Sequence, residues 1–272
     1  MKTIRKSAVK GFFYDDNPRA LSEQLNTFLS NSKVEISPEK LLGIIMPHAG
    51  YIYSGQIAAK SAVYLKEIDF DRAIVIGPSH YEYFEGASIY DGDSFETTFG
   101  EIIIDKEFSK KIVENSKKIK FSKSGERKEH SIEVLLPFLQ HIKKDIKFVP
   151  ILLGEQDSET VEDAAEALFK TLDDKTIVLS SSDLSHFYNK SIAKRLDERV
   201  LESIRALDGY KLLNDVANGL CEACGYGAIA ILLKLAKLKG YDKSNIAAYG
   251  DSGDVSGDNN KVVGYVSAVI YK

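Results

Sequence analysis

The chain has 272 residues, 44% of them hydrophobic and 28% charged, and its 19 Gly and 6 Pro are too few for a disordered or collagen-like polymer. The 36 Lys and Arg against 40 Asp and Glu leave a net charge of -4, no basic footprint, and hence no expectation of nucleic acid or an anionic membrane as partner. No apolar run approaches the ~18 residues of a membrane span, and the opening MKTIRKSAVKGFFYDD lacks a signal peptide's apolar stretch, so the expected location is the cytoplasm.

LLGIIM, residues 41–46, is a short apolar run suited to a buried strand, and residues 54–67 then place Ile57, Ala58, Ala62, Tyr64 and Leu65 at helical spacing. RAIVIG, residues 72–77, repeats the strand pattern and stops at Gly77-Pro78, so residues 41–77 predict a parallel βαβ unit. Residues 87–104 read as β structure broken by the turn Asp91-Gly92-Asp93, with a helix from about Asp105 and a strand near 119–121. This stretch is expected to leave the main sheet.

In EHSIEVLLPFLQHI, residues 129–142, Pro137 removes a backbone donor from a helical pattern and predicts two short pieces or a kink. IKFVPILLG (146–154) and KTIVLSSS (175–182) flank an amphipathic helix that starts near Ser158, a second βαβ unit. Helices over 191–206, 209–217 and 225–238 follow, and IAAYG and VVGYVSAVIYK close the chain as strands. With no internal repeat and no long linker, residues 1–272 are expected to form a single α/β domain. Its centre would be a mixed, largely parallel β-sheet flanked by helices.

Three of the five histidines fall just beyond expected strands: His48, His80 and His186, the last accompanied by Asp183. The carboxyl ends of strands line the ligand crevice of open α/β sheets, so these groups can converge from distant positions. Hydrogen-bonded turn residues would produce the same pattern at His48 and His80. Asp183 and His186 stand three residues apart, a spacing at which the carboxylate can orient the imidazole as a general base, or can instead form a turn beside a surface His. His130, beside Glu129, is a further candidate lining residue, whereas His141 reads as an ordinary helix-end residue.

The only cysteines, Cys221 and Cys224 in CEACG, admit a redox pair, half of a zinc site, or one ligand thiolate from Cys224 at a helix start, where the helix end would favour the thiolate. Either is also compatible with a small buried hydrophobe. Gly250-Asp251-Ser252-Gly253-Asp254 lacks the full calcium-loop pattern and reads as a solvated turn. Phosphate-loop, dinucleotide and GxSxG signatures are missing.

MPHAGYIYSG, GPSHYEYFEGA, EHSIEVLLPFLQ, SSDLSHF, CGYGAIAILL and VVGYVSAVIY occur in this order across almost the whole chain. Together they resemble the Memo family, whose prokaryotic members are called AmmeMemoRadiSam system protein B and which is related to the class III extradiol dioxygenases (LigB-like fold). The resemblance implies metal ligation by His48, His80 and Cys224, with Asp183 and His186 as further polar groups of the pocket; His130 and Cys221 are candidate lining residues by their positions in the chain. Cys in place of the dioxygenases' third ligand, a carboxylate, sets this chain apart from ring-cleaving enzymes. Leu135 stands where the family usually has Gln, and Thr98-Phe99-Gly100 where it has Pro-Leu-Gly, departures expected to fall on the pocket wall.

The leading expectation is a non-haem iron (Fe2+) redox protein or oxidoreductase, with copper or zinc as alternative ions, in which His186, oriented by Asp183, acts as acid/base. A non-catalytic module that binds a peptide or protein in the same pocket is the rival class, and zinc-dependent hydrolysis is a third. The expected partners are a small molecule or peptide and, through the family's gene association, a radical-SAM protein and an AMMECR-type protein.

Overall fold

The structure is a computed structural model that describes residues 2–272. Its strands are β1 (Ile4–Arg5), β2 (Leu41–Met46), β3 (Arg72–Pro78), β4 (Ala87–Tyr90), β5 (Ser94–Thr97), β6 (Gly100–Ile104), β7 (Ile119–Ser122), β8 (Lys147–Leu153), β9 (Thr176–Ser181), β10 (Asp183–Tyr188), β11 (Lys243–Asp251) and β12 (Val262–Tyr271). All belong to one sheet, ordered β1-β5-β6-β8-β3-β9-β2-β12-β10, with β11 on β12 and β4 joining β7 to β8. The run β6-β8-β3-β9-β2 is parallel, and antiparallel pairs occupy both flanks. The α/β class and the mixed sheet expected from the sequence therefore stand.

The central strands are apolar along their length because both faces are covered, and the pleat sends successive residues to opposite sides. Ile74 and Ile76 join one apolar cluster, while Ala73 and Val75 join the other. The first side is covered by α3 (Lys106–Glu114), α5 (Ser158–Thr171), α6 (Lys190–Arg205), α7 (Gly209–Ala217) and α8 (Tyr226–Leu238). The second is covered by α1 (Pro18–Ser30), α2 (Tyr51–Ala62) and α4 (Leu136–Ile142). Among the described residues, no helix is long and apolar enough to cross a membrane.

The two expected βαβ units are present, but neither pairs its own strands. β9 sits between β2 and β3, and β3 sits between β8 and β9, so the units interleave. The stretch expected to leave the sheet stays in it: β4 and β6 share one edge of β8, antiparallel at one end and parallel at the other. Pro137 stands in the first turn of α4, where its missing donor is harmless, and a 3-10 turn over Glu133–Leu135 precedes it. Elements not anticipated include β1, α1, β10 and a single helical turn over Gly253–Ser256. For α1 the signal was there: Asn17 accepts from Arg19 N and Ala20 N as N-cap, Pro18 follows, and Leu21, Leu25 and Leu29 form a buried stripe. The Gly250–Asp254 segment is not a solvated turn, since Asp251 is buried, ends β11 and pairs with Lys190 at 3.1 Å.

Candidate functional site

β2, β3 and β9 lie side by side and parallel, so their carboxyl ends deliver His48, His80 and the Ser181-Ser182-Asp183 segment to one crevice. The start of α8 is laid over the end of β9: a Cβ on Gly225 would stand 2.2 Å from the Ser181 carbonyl, and Gly225 N donates to Ser182 Oγ at 2.9 Å. Only glycine permits this approach, which carries Cys224 into the crevice. Cys224 Sγ is 3.2 Å from His48 Nε2, and a ligand atom from each of His48, His80 and Cys224 lies within 4.8 Å of the other two.

The surrounding hydrogen bonds fix which imidazole nitrogen is free. Ser181 Oγ gives its proton to the Ser131 carbonyl, so it accepts from His48 Nδ1–H at 2.7 Å, and the His48 lone pair is left on Nε2. His80 Nδ1 donates to Glu129 Oε1 at 2.9 Å, and the same carboxylate takes the His80 backbone amide at 2.5 Å, so the neutral form of the ring, the one a metal ion would bind, carries its lone pair on Nε2. Two lone pairs and a thiol therefore converge, each ring held by an acceptor behind it, as metal-binding histidines require. The donor set fits a transition-metal ion.

Glu129 is itself held rigidly. Its Oε1 also accepts from His130 N and Ser131 N, both at 2.8 Å, and its carbonyl accepts from the Arg5 guanidinium. Burial works to raise Glu129, but the hydrogen bonds and charge of His80 outweigh it and hold the carboxyl at about 2, while Glu129 in turn raises His80 against that ring's own burial. His48 is pushed well below the usual imidazole range by burial, reinforced by His80, and stays neutral. Burial pushes the Cys224 thiol up, with Asp183 adding to the rise, so the helix start does not produce a free thiolate here. A thiolate at this depth needs a cation beside it.

The remaining candidates separate. His130 stacks on His80 at 4.9 Å between ring centroids and forms a second possible donor group with His80 and Glu129. Its Nδ1 is buried without a hydrogen-bond partner. Asp183 does not orient His186: its carboxylate accepts from His48 N at 2.8 Å, burial raises it to about 7, and among the described residues no hydrogen bond joins it to His186. His186 is near enough for a charge on His80 to lower its pKa, an effect secondary to burial, and it borders exposed Phe187, whose φ of 65° marks local strain.

Cys221 does not line the pocket but is buried in the apolar cluster beneath α8, where burial lifts its thiol to about 11. His141 lies elsewhere, bonded to Asn26 at 2.9 Å and stacked on Phe99. The two departures from the family pattern also avoid the cluster, since Leu135 is wholly buried in the core and Thr98 bonds the Asp15 carbonyl. Glu129 is the functional residue the sequence reading passed over. Its adjacency to His130 drew attention to the wrong partner, since its carboxylate serves His80, 49 positions away.

The sequence model of the Memo-like protein family matches residues 5–269. The MEMO1 family protein of Methanobrevibacter smithii is 36% identical over 98% of this chain and 99% of its own, and TV1383 of Thermoplasma volcanium, also a MEMO1 family protein, is 37% identical over 98% of each. Among solved structures, uncharacterized protein JW3007 from Escherichia coli K12 superposes with a TM-score of 0.57 at 12% identity, covering 86% of this chain and 100% of that one, a likeness of fold alone.

Proposed function

The chain belongs to the Memo-like protein family, and we propose that it binds one transition-metal ion through His48 Nε2, His80 Nε2 and Cys224 Sγ and uses it in redox chemistry on a small molecule or peptide. The observation that supports this reading is that Ser181 and Glu129 each occupy Nδ1, so the neutral rings of His48 and His80 both offer Nε2, and that of His48 stands 3.2 Å from the thiol. Iron is the ion proposed first, and the thiolate makes copper or zinc the alternatives. When bound, the ion would supply Lewis acidity and, if iron or copper, a one-electron couple.

The chain's own groups divide the remaining work. Asp183 fixes the His48 loop through its backbone amide, and Glu129 sets the direction of His80. His186 stands at the edge of the cluster as the proposed acid/base group, its neutral form favoured by burial. A radical-SAM protein and an AMMECR-type protein are proposed as partners, and co-purification tests them.

Elemental analysis of anaerobically purified protein beside His48→Ala, His80→Ala and Cys224→Ala decides the reading. One equivalent of iron in the wild type, lost in all three variants, is the expected result. Full zinc occupancy would turn the assignment toward hydrolysis. A wild-type protein that stays metal-free after anaerobic reconstitution would overturn the metal reading and favour a peptide-binding module.

A further inference from the structure

The turn after β1 carries features that neither the core nor the cluster accounts for. Gly11 at φ 81°, the bond from Gly11 N to Tyr14 O at 2.8 Å and that from Phe12 N to Val9 O at 3.0 Å fix a tight, ordered turn. It holds Phe12 88% exposed, and Ile52 in the first turn of α2 is 70% exposed beside the same hollow. Between them lies a cavity of about 370 Å3, lined further by Phe13, Asp15, Asp16 and Gln24. The cavity adjoins the cluster. The Phe13 ring meets His130 edge-on at 4.9 Å, and its carbonyl accepts from Tyr51 N at 2.8 Å, three residues beyond His48.

The lining combines apolar walls with two carboxylates, of which Asp15 Oδ1 accepts the Asn17 amide at 2.7 Å. The nearest cations in sequence are engaged elsewhere, Lys10 by Glu96 at 2.8 Å and Arg19 by Glu23 at 3.0 Å, and among the described residues neither Asp15 nor Asp16 has an ion-pair partner. The side-chain oxygen of Gln24 is buried with no hydrogen bond at all. An orphaned buried acceptor is destabilising until a donor reaches it.

We propose that this cavity is a subsite for the cationic side chain, lysine or arginine, of a polypeptide that is presented to the cluster. Its aliphatic stem would lie along Phe12 and Ile52, and its head would meet the carboxylates of Asp15 and Asp16 and the Gln24 oxygen. The face of Phe12 favours a cation in addition. A neutral apolar side chain leaves the two carboxylates without a counter-charge and the Gln24 oxygen without a donor, and an anionic one is repelled, so the lining discriminates by charge. Because Phe13 joins the cavity wall to His130, the residues next to the bound side chain face the cluster. Protein groups alone form the cavity, so the inference does not rest on the metal assignment.

The test uses the full, chelator-treated chain labelled with 15N and three probes: the acetyl methylamides of arginine, lysine and norleucine. At least one cationic probe is expected to shift the amides of Gly11 to Asp16 and Ile52 saturably, with a dissociation constant of about 0.1–10 mM. Asp15→Asn with Asp16→Asn should weaken it about fivefold, and Phe12→Ala should weaken it about threefold, each with an otherwise unchanged spectrum. Binding should also fall as salt rises. Equal shifts from the norleucine probe, no shift from either cation at saturation, or unchanged affinity in the double variant would overturn the assignment. Since metal content is measured separately, loss of one reading leaves the other intact.

Discussion

Glu133→Gln should loosen the N-terminal segment from the rest of the fold. The Glu133 carboxylate is wholly buried and accepts four hydrogen bonds from residues 5–14: Arg5 Nη1 and Ala8 N at 2.7 Å on Oε2, Val9 N at 3.1 Å and the Tyr14 hydroxyl at 2.9 Å on Oε1. Glutamine keeps the volume, but either orientation of its amide turns an NH2 toward two donors. Breaking a buried charged pair costs about 3–5 kcal/mol, and Glu126 still holds Arg5 at 2.7 Å, so the lower end applies. With an unfolding entropy near 2.1 cal/mol/K per residue, a loss of about 3 kcal/mol lowers Tm by about 5 °C in a chain of this size. Calorimetry on metal-free protein measures the shift, and hydrogen exchange should show faster exchange at Ala8, Val9 and Tyr51, whose amide is held by the Phe13 carbonyl. A shift below about 1 °C with unchanged exchange would refute the anchoring role.

Glu129→Gln should weaken metal binding about 10- to 100-fold, because the charge and one of the two oxygens that hold His80 are lost, and chelator competition reads the change directly. The Cys pair should divide: Cys224→Ala abolishes metal retention, whereas Cys221→Ala keeps full occupancy and costs about 1 kcal/mol of stability through a small cavity. Retention of metal by Cys224→Ala, or its loss from Cys221→Ala, would contradict the placement of the two thiols. For pH, Glu126 is pushed up to about 7 by burial, against the attraction of Arg5, and its Oε1 is buried with no partner. A carboxyl raised in the folded state binds its proton more tightly there than in the unfolded chain. Its contribution is therefore complete below the ordinary value of 4.5 and is lost as pH rises toward 7. Urea midpoints should fall across that window in the wild type and flatten in Glu126→Gln, and parallel profiles would count against the shift.

What the sequence made legible was whatever depends on local pattern and strand ends. His48 and His80 follow apolar runs that became β2 and β3, so each could be placed at a strand's carboxyl end, and Cys224 precedes an apolar helix, so it could be placed at a helix start, without knowing its neighbours. Strand order was not legible in the same way. Two consecutive βαβ patterns look alike whether their strands pair or interleave, because all four are buried on both faces and carry no edge signal. That order nevertheless builds the site, since β9 between β2 and β3 puts Ser181 behind His48 and leaves room for Gly225 to cross.

The Asp183–His186 relation shows why spacing alone misled. On a turn or helix, residues three apart share a face, but here both lie on β10, where the pleat alternates and the register with β12 shifts between them. Ser185 N, between them, turns to the buried carboxylate of Asp197 at 3.0 Å instead. The strand thus sends Asp183 inward to hold the His48 backbone and leaves His186 at the rim, next to a strained Phe187. Among the described residues, no carboxylate stands behind His186, whose ring is supported by the Leu184 backbone instead. On the proposed function, His48 and His80 would bind rigidly while His186, at the open side, would be the group left to exchange a proton.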